Sequence, residues 1–229
     1  MLVKTKGIVL KFIKYKESSI IVKIYTEELG VQSYIINGVR STRSKRNKIA
    51  LYQPLTLLDL VVYFREDKQL QRLSEAKCNH PFVSIPLNPR KSAVVLFLVE
   101  ILSKTLKEQS GNMELFRFIW DALLWLDTNN PIENFHLVFL VKLAKYLGFS
   151  PHNAKEVYEE LKYELDPQWT MSDEAGLMNQ LLHSEVAKTP VLTGKQRSSL
   201  LAILIALYQA HVEHFGSIKS VKVLNQIFS

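Results

Sequence analysis

The sequence predicts an α+β protein in which a five-stranded barrel over residues 1–80 is followed by an all-helical region over residues 81–229. Three observations carry this. Short stretches rich in β-branched and aromatic residues, broken by polar turns, fill the first third. Apolar residues at spacings of three and four fill much of the rest. Between the two textures stand Pro81, Pro86 and Pro89, in a stretch that cannot continue a strand ladder.

Taken in order, strands are expected at 5–14, 19–26, 31–39, 55–64 and 69–77. Lys14-Tyr15-Lys16-Glu17-Ser18 joins the first pair, Glu28-Leu29-Gly30 turns between the second and third, and Arg65-Glu66-Asp67-Lys68 closes the last hairpin. Five strands in so short a segment is the count of a small closed or nearly closed barrel. Helices are expected at 90–108, 113–128, 132–147, 153–161, 195–213 and 217–227, punctuated by Gly111, Asn130-Pro131, Gly148 and Gly216. Within the second of these, Phe116, Ile119, Trp120, Leu123 and Leu124 form one apolar face. Residues 148–194, with Pro151, Pro167 and Pro190, read as short helices and loops.

Composition narrows the class. The chain has 229 residues, 47% hydrophobic and 22% charged, enough apolar surface to close a core. Its net charge of +7 is uneven: residues 1–80 hold 15 Lys/Arg against 7 Asp/Glu, and residues 81–229 hold 14 against 15. A basic part joined to a near-neutral part suits an anionic polymer on one side and protein contacts on the other. The single cysteine, Cys78, excludes a disulfide framework and a zinc site built on paired thiolates, and fits a reducing, cytosolic setting. The opening Met1-Leu2-Val3-Lys4-Thr5-Lys6 lacks the form of a secretory leader. The longest apolar runs, Ala93–Val99 and Leu200–Tyr208, fall well short of the roughly 18 residues of a membrane span. A cytoplasmic protein with no membrane partner is expected.

Constellations for catalysis are absent. Gly194-Lys195 ends like a phosphate-binding loop, but Thr189 stands where that loop needs glycine and Gln196 where it needs Ser or Thr. Cys78 and His80 sit two apart at a strand end, which reads as chance rather than as a nucleophile and its base. His211 and His214 share a helix without a third ligand at a usable spacing, so they read as surface histidines. The adjacent acids Glu27-Glu28, Glu159-Glu160 and Asp173-Glu174 diverge on a helix and suit solvent. No enzyme, cofactor or metal is expected.

What remains is Arg40-Ser41-Thr42-Arg43-Ser44-Lys45-Arg46-Asn47-Lys48, five cations in nine residues with no acid. It reads either as a solvated loop that aids solubility or as a phosphate-binding segment. The second reading gains from its place between the third and fourth strands of a small barrel, since such barrels hold single strands with cationic grooves and aromatic platforms. Tyr15, Tyr34, Tyr52, Tyr63 and Phe64 are aromatics of the required kind, and each also fits a core position.

Several stretches resemble a known family. Lys6-Gly7-Ile8-Val9-Leu10, Tyr15-Lys16-Glu17-Ser18-Ser19-Ile20-Ile21-Val22, Glu28-Leu29-Gly30, Asn37-Gly38-Val39-Arg40 and Tyr52-Gln53-Pro54-Leu55 resemble the N-terminal domain of the RecO family of bacterial recombination mediators. Lys142-Leu143-Ala144-Lys145-Tyr146-Leu147-Gly148-Phe149 and Ser217-Ile218-Lys219-Ser220-Val221-Lys222-Val223-Leu224 are similar to its C-terminal part. The resemblance implies an OB-fold at 1–80 that binds nucleic acid and a helical domain at 81–229 for protein partners. It further implies binding of single- and double-stranded DNA, annealing of complementary strands, contact with RecR and with the acidic-apolar tail of single-stranded DNA-binding protein, and loading of RecA, all without covalent catalysis. Many members carry a four-cysteine zinc module after the position of Gly148; residues 149–194 here contain no cysteine, so no zinc is expected. Val157, Tyr158, Leu161, Leu165 and Trp169 are expected to supply ordinary packing instead.

On this reading Lys14, Tyr15, Lys16, Arg40, Arg43, Lys45, Arg46 and Lys48 form the nucleic-acid interface. Arg117, Lys142 and Lys145 are candidates for the cation that a pocket for the acidic tail requires. Two other classes stay open: an OB-fold module for structured RNA, and a non-catalytic helical scaffold in which the basic segment only solubilises.

Overall fold

The computed structural model describes residues 1–39, 48–107 and 110–228. Five strands, β1 (Leu2–Tyr15), β2 (Ser19–Thr26), β3 (Gly30–Ile36), β4 (Leu57–Tyr63) and β5 (Leu70–His80), close into a barrel in the order β1-β2-β3-β5-β4. All pairings are antiparallel except β3 with β5, which run parallel from Ser33↔Leu70 to Ile35↔Arg72. This is the OB-fold expected of the first third.

Alternation along the strands fills the interior. Val9, Ile20, Val22, Ile24, Tyr34, Leu58, Leu60 and Val62 are among the buried residues of the core. The register of β1 on β2 shifts between Val9 and Lys11. Such a bulge reverses which residues face inward, so Phe12 packs against the core while Lys11, Ile13 and Tyr15 share the outward face.

Strand ends depart from the sequence expectation. β1 begins at Leu2 because Leu2 pairs with Tyr63, and β5 extends to His80 because Leu57 pairs with it. β3 stops at Ile36 rather than Val39. Gly38 has φ +72°, a left-handed turn that ends extended pairing, and the Ser19 hydroxyl donates to Asn37 Oδ1 at 2.9 Å.

The helices are α1 (Pro89–Thr105), α2 (Met113–Thr128), α3 (Phe135–Leu147), α4 (Ala154–Leu161), α5 (Asp173–Leu182), α6 (Gly194–His211) and α7 (Val221–Phe228). α5 lies where sequence patterning reads only short helices and loops; Ser172 caps it by accepting from the Ala175 N–H. α6 opens on a reciprocal capping box between Thr193 and Gln196. α7 starts four residues later than the periodicity suggests. Val157, Leu161 and Trp169 are buried as expected, whereas Tyr158 and Leu165 are half-buried.

Two compact units result, Met1–Leu87 with Val99–Thr128, and Asn88–Leu98 with Asn129–Ser229. In the first, α2 lies on the barrel: Tyr25 packs on Phe116 at 5.6 Å between ring centroids, and its hydroxyl donates to the Asn112 carbonyl. The carboxylate of Asp127, 4% exposed, accepts from the backbone N–H groups of Val83, Ser84 and Ile85, and the Ser84 hydroxyl donates to the Asp127 carbonyl. Burial pushes this carboxyl up, but the three N–H donors outweigh burial and hold it below the usual carboxylate range. In the second unit, the buried Arg197 guanidinium donates to Asn134 Oδ1 and to the carbonyls of Leu192 and Phe228, anchoring the end of α7.

Candidate nucleic-acid interface

The strand register sorts the barrel's outer face by charge. One outward row runs Ile13↔Ile21↔Ile35↔Arg72↔Tyr63, and the next runs Lys11↔Lys23↔Ser33↔Leu70. Between them the inward row Phe12↔Val22↔Tyr34↔Gln71 enters the core. This sector is cationic with an aliphatic stripe: Ile13, Tyr63 and Leu70 are exposed, and Ile21 and Ile35 are half-buried. Lys11 and Lys23 oppose each other, with Lys107 close enough to act on Lys23.

Around β1, β4 and β5 the outer face is mixed instead. Lys4, Lys6, Lys77, Glu27, Glu28, Asp59 and Glu75 line one hollow of about 460 Å³. Four carboxylates against three amines leave no net attraction for phosphate there. A second hollow, about 760 Å³, lies beside β3 and the β4–β5 loop and is lined by Ile35, Tyr63, Arg65, Lys68, Leu70, Gln71 and Arg72. Its three charged liners are all cations.

Of the residues singled out from sequence, Lys14, Tyr15 and Lys16 meet at the β1–β2 turn, with Lys16 Nζ 5.5 Å from the centre of the Tyr15 ring. Lys16 has φ 51°, which aims the turn's backbone sharply. The Ser19–Asn37 hydrogen bond brings Asn37 to the same end of the barrel, three residues before Arg40 in the sequence. Arg40, Arg43, Lys45 and Arg46 lie outside the described residues. Lys48 opens the 3-10 turn Lys48–Tyr52, and its side chain is likewise outside the description.

The proposed aromatics separate. Tyr34 is fully buried and Tyr52 is 5% exposed, so both are core residues rather than platforms, and burial raises both phenols. Phe64 packs partly against the core. Tyr63 remains 54% exposed. Lys11, Lys23 and Arg72 escaped the sequence reading because the bulge in β1 and the parallel β3–β5 pairing decide which side they face.

The candidates for a protein partner are divided between the two units. Arg117, on α2, has Nε 3.9 Å from Glu27 Oε1 within the first unit. Lys142 and Lys145 lie on α3 in the second, where Lys142 Nζ meets Glu185 Oε2 at 2.8 Å and Lys145 is exposed. The two histidines of the last long helix region lie at the surface, as the sequence suggests. His211 Nε2 lies 2.7 Å from Glu160 and stacks on Phe149, while His214 lies against Glu213. Among the described residues, no three His, Cys, Asp or Glu side chains converge on one point, and no helix is long and apolar enough to cross a membrane.

Comparison with known proteins agrees with this architecture. Residues 1–82 match the family model described as Recombination protein O N terminal, and residues 86–159 match Recombination protein O C terminal. The chain is 37% identical to a DNA repair protein RecO of Flavobacterium psychrophilum and 37% identical to one of Bacteroides fragilis. It is 36% identical to one of Flavobacterium johnsoniae, and all of both chains is covered in each case.

Proposed function

Because the chain belongs to the RecO family of DNA repair proteins, we propose that it binds single- and double-stranded DNA, anneals complementary strands and helps load RecA onto DNA coated with single-stranded DNA-binding protein. The observation that carries this reading is the cationic sector of the barrel, set beside a mixed-charge sector where phosphate gains nothing. Two complementary strands repel each other through their phosphates. Cations at Lys14 and Lys16, at Arg40, Arg43, Lys45, Arg46 and Lys48, and along β1 and β2 lower that repulsion while leaving base edges free to pair. Binding of this kind tolerates any sequence and breaks no covalent bond.

The near-neutral second part of the chain is proposed to contact protein partners, RecR and the acidic-apolar tail of single-stranded DNA-binding protein, with Lys142 and Lys145 as cations for the tail. Lys142 already meets Glu185 at 2.8 Å and Arg117 has Glu27 at 3.9 Å, so Lys145 is the first of the three to test. The cytoplasm is the proposed location.

A strand-annealing assay in the presence of single-stranded DNA-binding protein tests the proposal. Wild type is expected to accelerate annealing, and a variant with Arg43, Lys45 and Arg46 made neutral is expected to lose most of that acceleration. Equal rates for the two proteins contradict it.

A further inference from the structure

Charge neutralisation makes no use of the 760 Å³ hollow beside β3, whose size falls in the range of about 300–1,000 Å³ typical of small-ligand sites. We infer that this hollow is a base-binding subsite, in which one unpaired nucleobase lies on the Tyr63 ring against Ile35 and Leu70 while its neighbouring phosphates meet Arg72. The inference rests on the nucleic-acid reading and adds to it a preference for single strands.

Four observations converge. Among the aromatics that sequence offered on the barrel, Tyr63 is the one with an open face; Tyr34 and Tyr52 are buried, Phe64 packs on the core and Tyr15 carries the Lys16 ammonium. Tyr63 stands directly across the ladder from Arg72, and Arg72 from Ile35, so ring, cation and aliphatic wall form one outward row. Charge complementarity favours a phosphate-bearing occupant: Arg65 and Lys68 share the carboxylate of Asp67, while Arg72 has no such partner among the described residues. Finally, the loop that forms one wall is held without any ligand. Gln71, 2% exposed, accepts from the Arg65 N–H at 3.0 Å and donates to the Arg65 and Lys68 carbonyls at 2.8 and 2.5 Å. A preformed wall loses little conformational freedom on binding.

Selectivity follows from stacking. In a duplex both faces of each base are already covered, so no base reaches Tyr63 without being unstacked first. In a single strand a base is available, and its stacking on an aromatic ring adds affinity without sequence preference. Tyr63 therefore separates single from double strands, and Gln71 acts as the positioning residue that keeps the loop in place.

The test measures binding of the full chain to a labelled oligothymidylate and to an equal-length duplex by fluorescence anisotropy. Tyr63→Ala is expected to weaken single-strand binding by roughly tenfold and to change duplex binding by less than about twofold. Tyr63→Phe keeps the ring and is expected to match wild type, and unchanged thermal melting of both variants shows that the barrel is intact. Arg72→Gln should weaken the single-strand complex and lower its salt slope by about one unit. A Tyr63→Ala protein with the wild-type ratio of single- to double-strand affinity overturns the subsite while leaving DNA binding intact. A wild type that binds neither oligonucleotide overturns both readings. Competition at the hollow by a peptide of alternating Asp and Phe, with the DNA ratio unaltered by Tyr63→Ala, assigns the hollow to a protein and also overturns the proposal.

Discussion

Lys11 and Lys23 stand directly opposite each other on β1 and β2, two ammonium groups on the same outward face. Burial, then Lys11 and Lys107, hold the Lys23 amine below the usual lysine range. Like charges at directly opposed strand positions cost stability. A chain that keeps such a pair on the sector proposed to hold phosphate trades stability for attraction. Lys23→Thr is expected to raise stability by about 0.2–1 kcal/mol and to weaken DNA binding. Thermal melting and anisotropy on the same variant check both halves, and a less stable variant that binds DNA as wild type does would contradict the trade.

Asp127 is expected to matter for the stability of the first unit. Asp127→Ala leaves the N–H groups of Val83, Ser84 and Ile85 without their acceptor; for the buried Ile85 donor alone this costs about 1–3 kcal/mol, and the more exposed Val83 and Ser84 donors, which water reaches, add less. Asp127→Asn keeps one acceptor oxygen and should fall between wild type and Ala in a urea titration. The carboxyl is held low in the fold, so its contribution is complete above its unfolded value of about 3.9 and is lost as pH falls through the folded value.

His136 gives the second unit an acid sensitivity in a different window. The ring is fully buried between Phe97 and Phe228, its Nδ1 has no partner among the described residues, and burial followed by the charge of Arg197 pushes its pKa down to about 3. Unfolded, the ring takes a proton near pH 6.5. Between these values the unfolded chain binds one proton more, so stability falls on acidification by up to about 1.4 kcal/mol per pH unit. His136→Phe preserves the ring packing and is expected to flatten the pH dependence of melting between pH 6.5 and 4. An unchanged slope would mean that other groups carry it.

Two glycines should respond in opposite directions. A Cβ on Gly111 would lie 2.4 Å from the Glu28 carbonyl oxygen, a backbone atom with little room to move. Gly111→Ala is therefore expected to destabilise by about 1–3 kcal/mol. A Cβ on Gly176, inside α5, meets nothing within 4 Å. Gly176→Ala should stabilise by about 0.5–1 kcal/mol, because alanine loses less backbone freedom in a helix. Paired melting curves distinguish the two.

The barrel and most helices were legible because period-two and period-3.6 patterns in this chain are strong and their breaks carry Gly, Pro or Asn. Legibility failed where pairing overrides pattern. The bulge after Val9 turns Lys11 outward beside Lys23, and the parallel β3–β5 contact places Arg72 between Ile35 and Tyr63; neither follows from local spacing. Aromatic roles failed for the same reason, since Tyr34 and Tyr63 look alike in sequence and differ only in which way their strand position faces. α5 was missed because its buried Ala175, Met178 and Leu181 form a narrow stripe among polar residues. The cationic segment at 40–48 is plain from composition, and the cationic sector along β1 and β2 is visible only through the register.

The measurement closest to the central claim is the salt dependence of single-strand binding. With about five cations on phosphates, log K against log salt is expected to fall with a slope of about −3.5, steepening to about −4.5 on duplex DNA. A nearly flat slope, or one unaltered when Arg43, Lys45 and Arg46 are neutralised, would contradict the account.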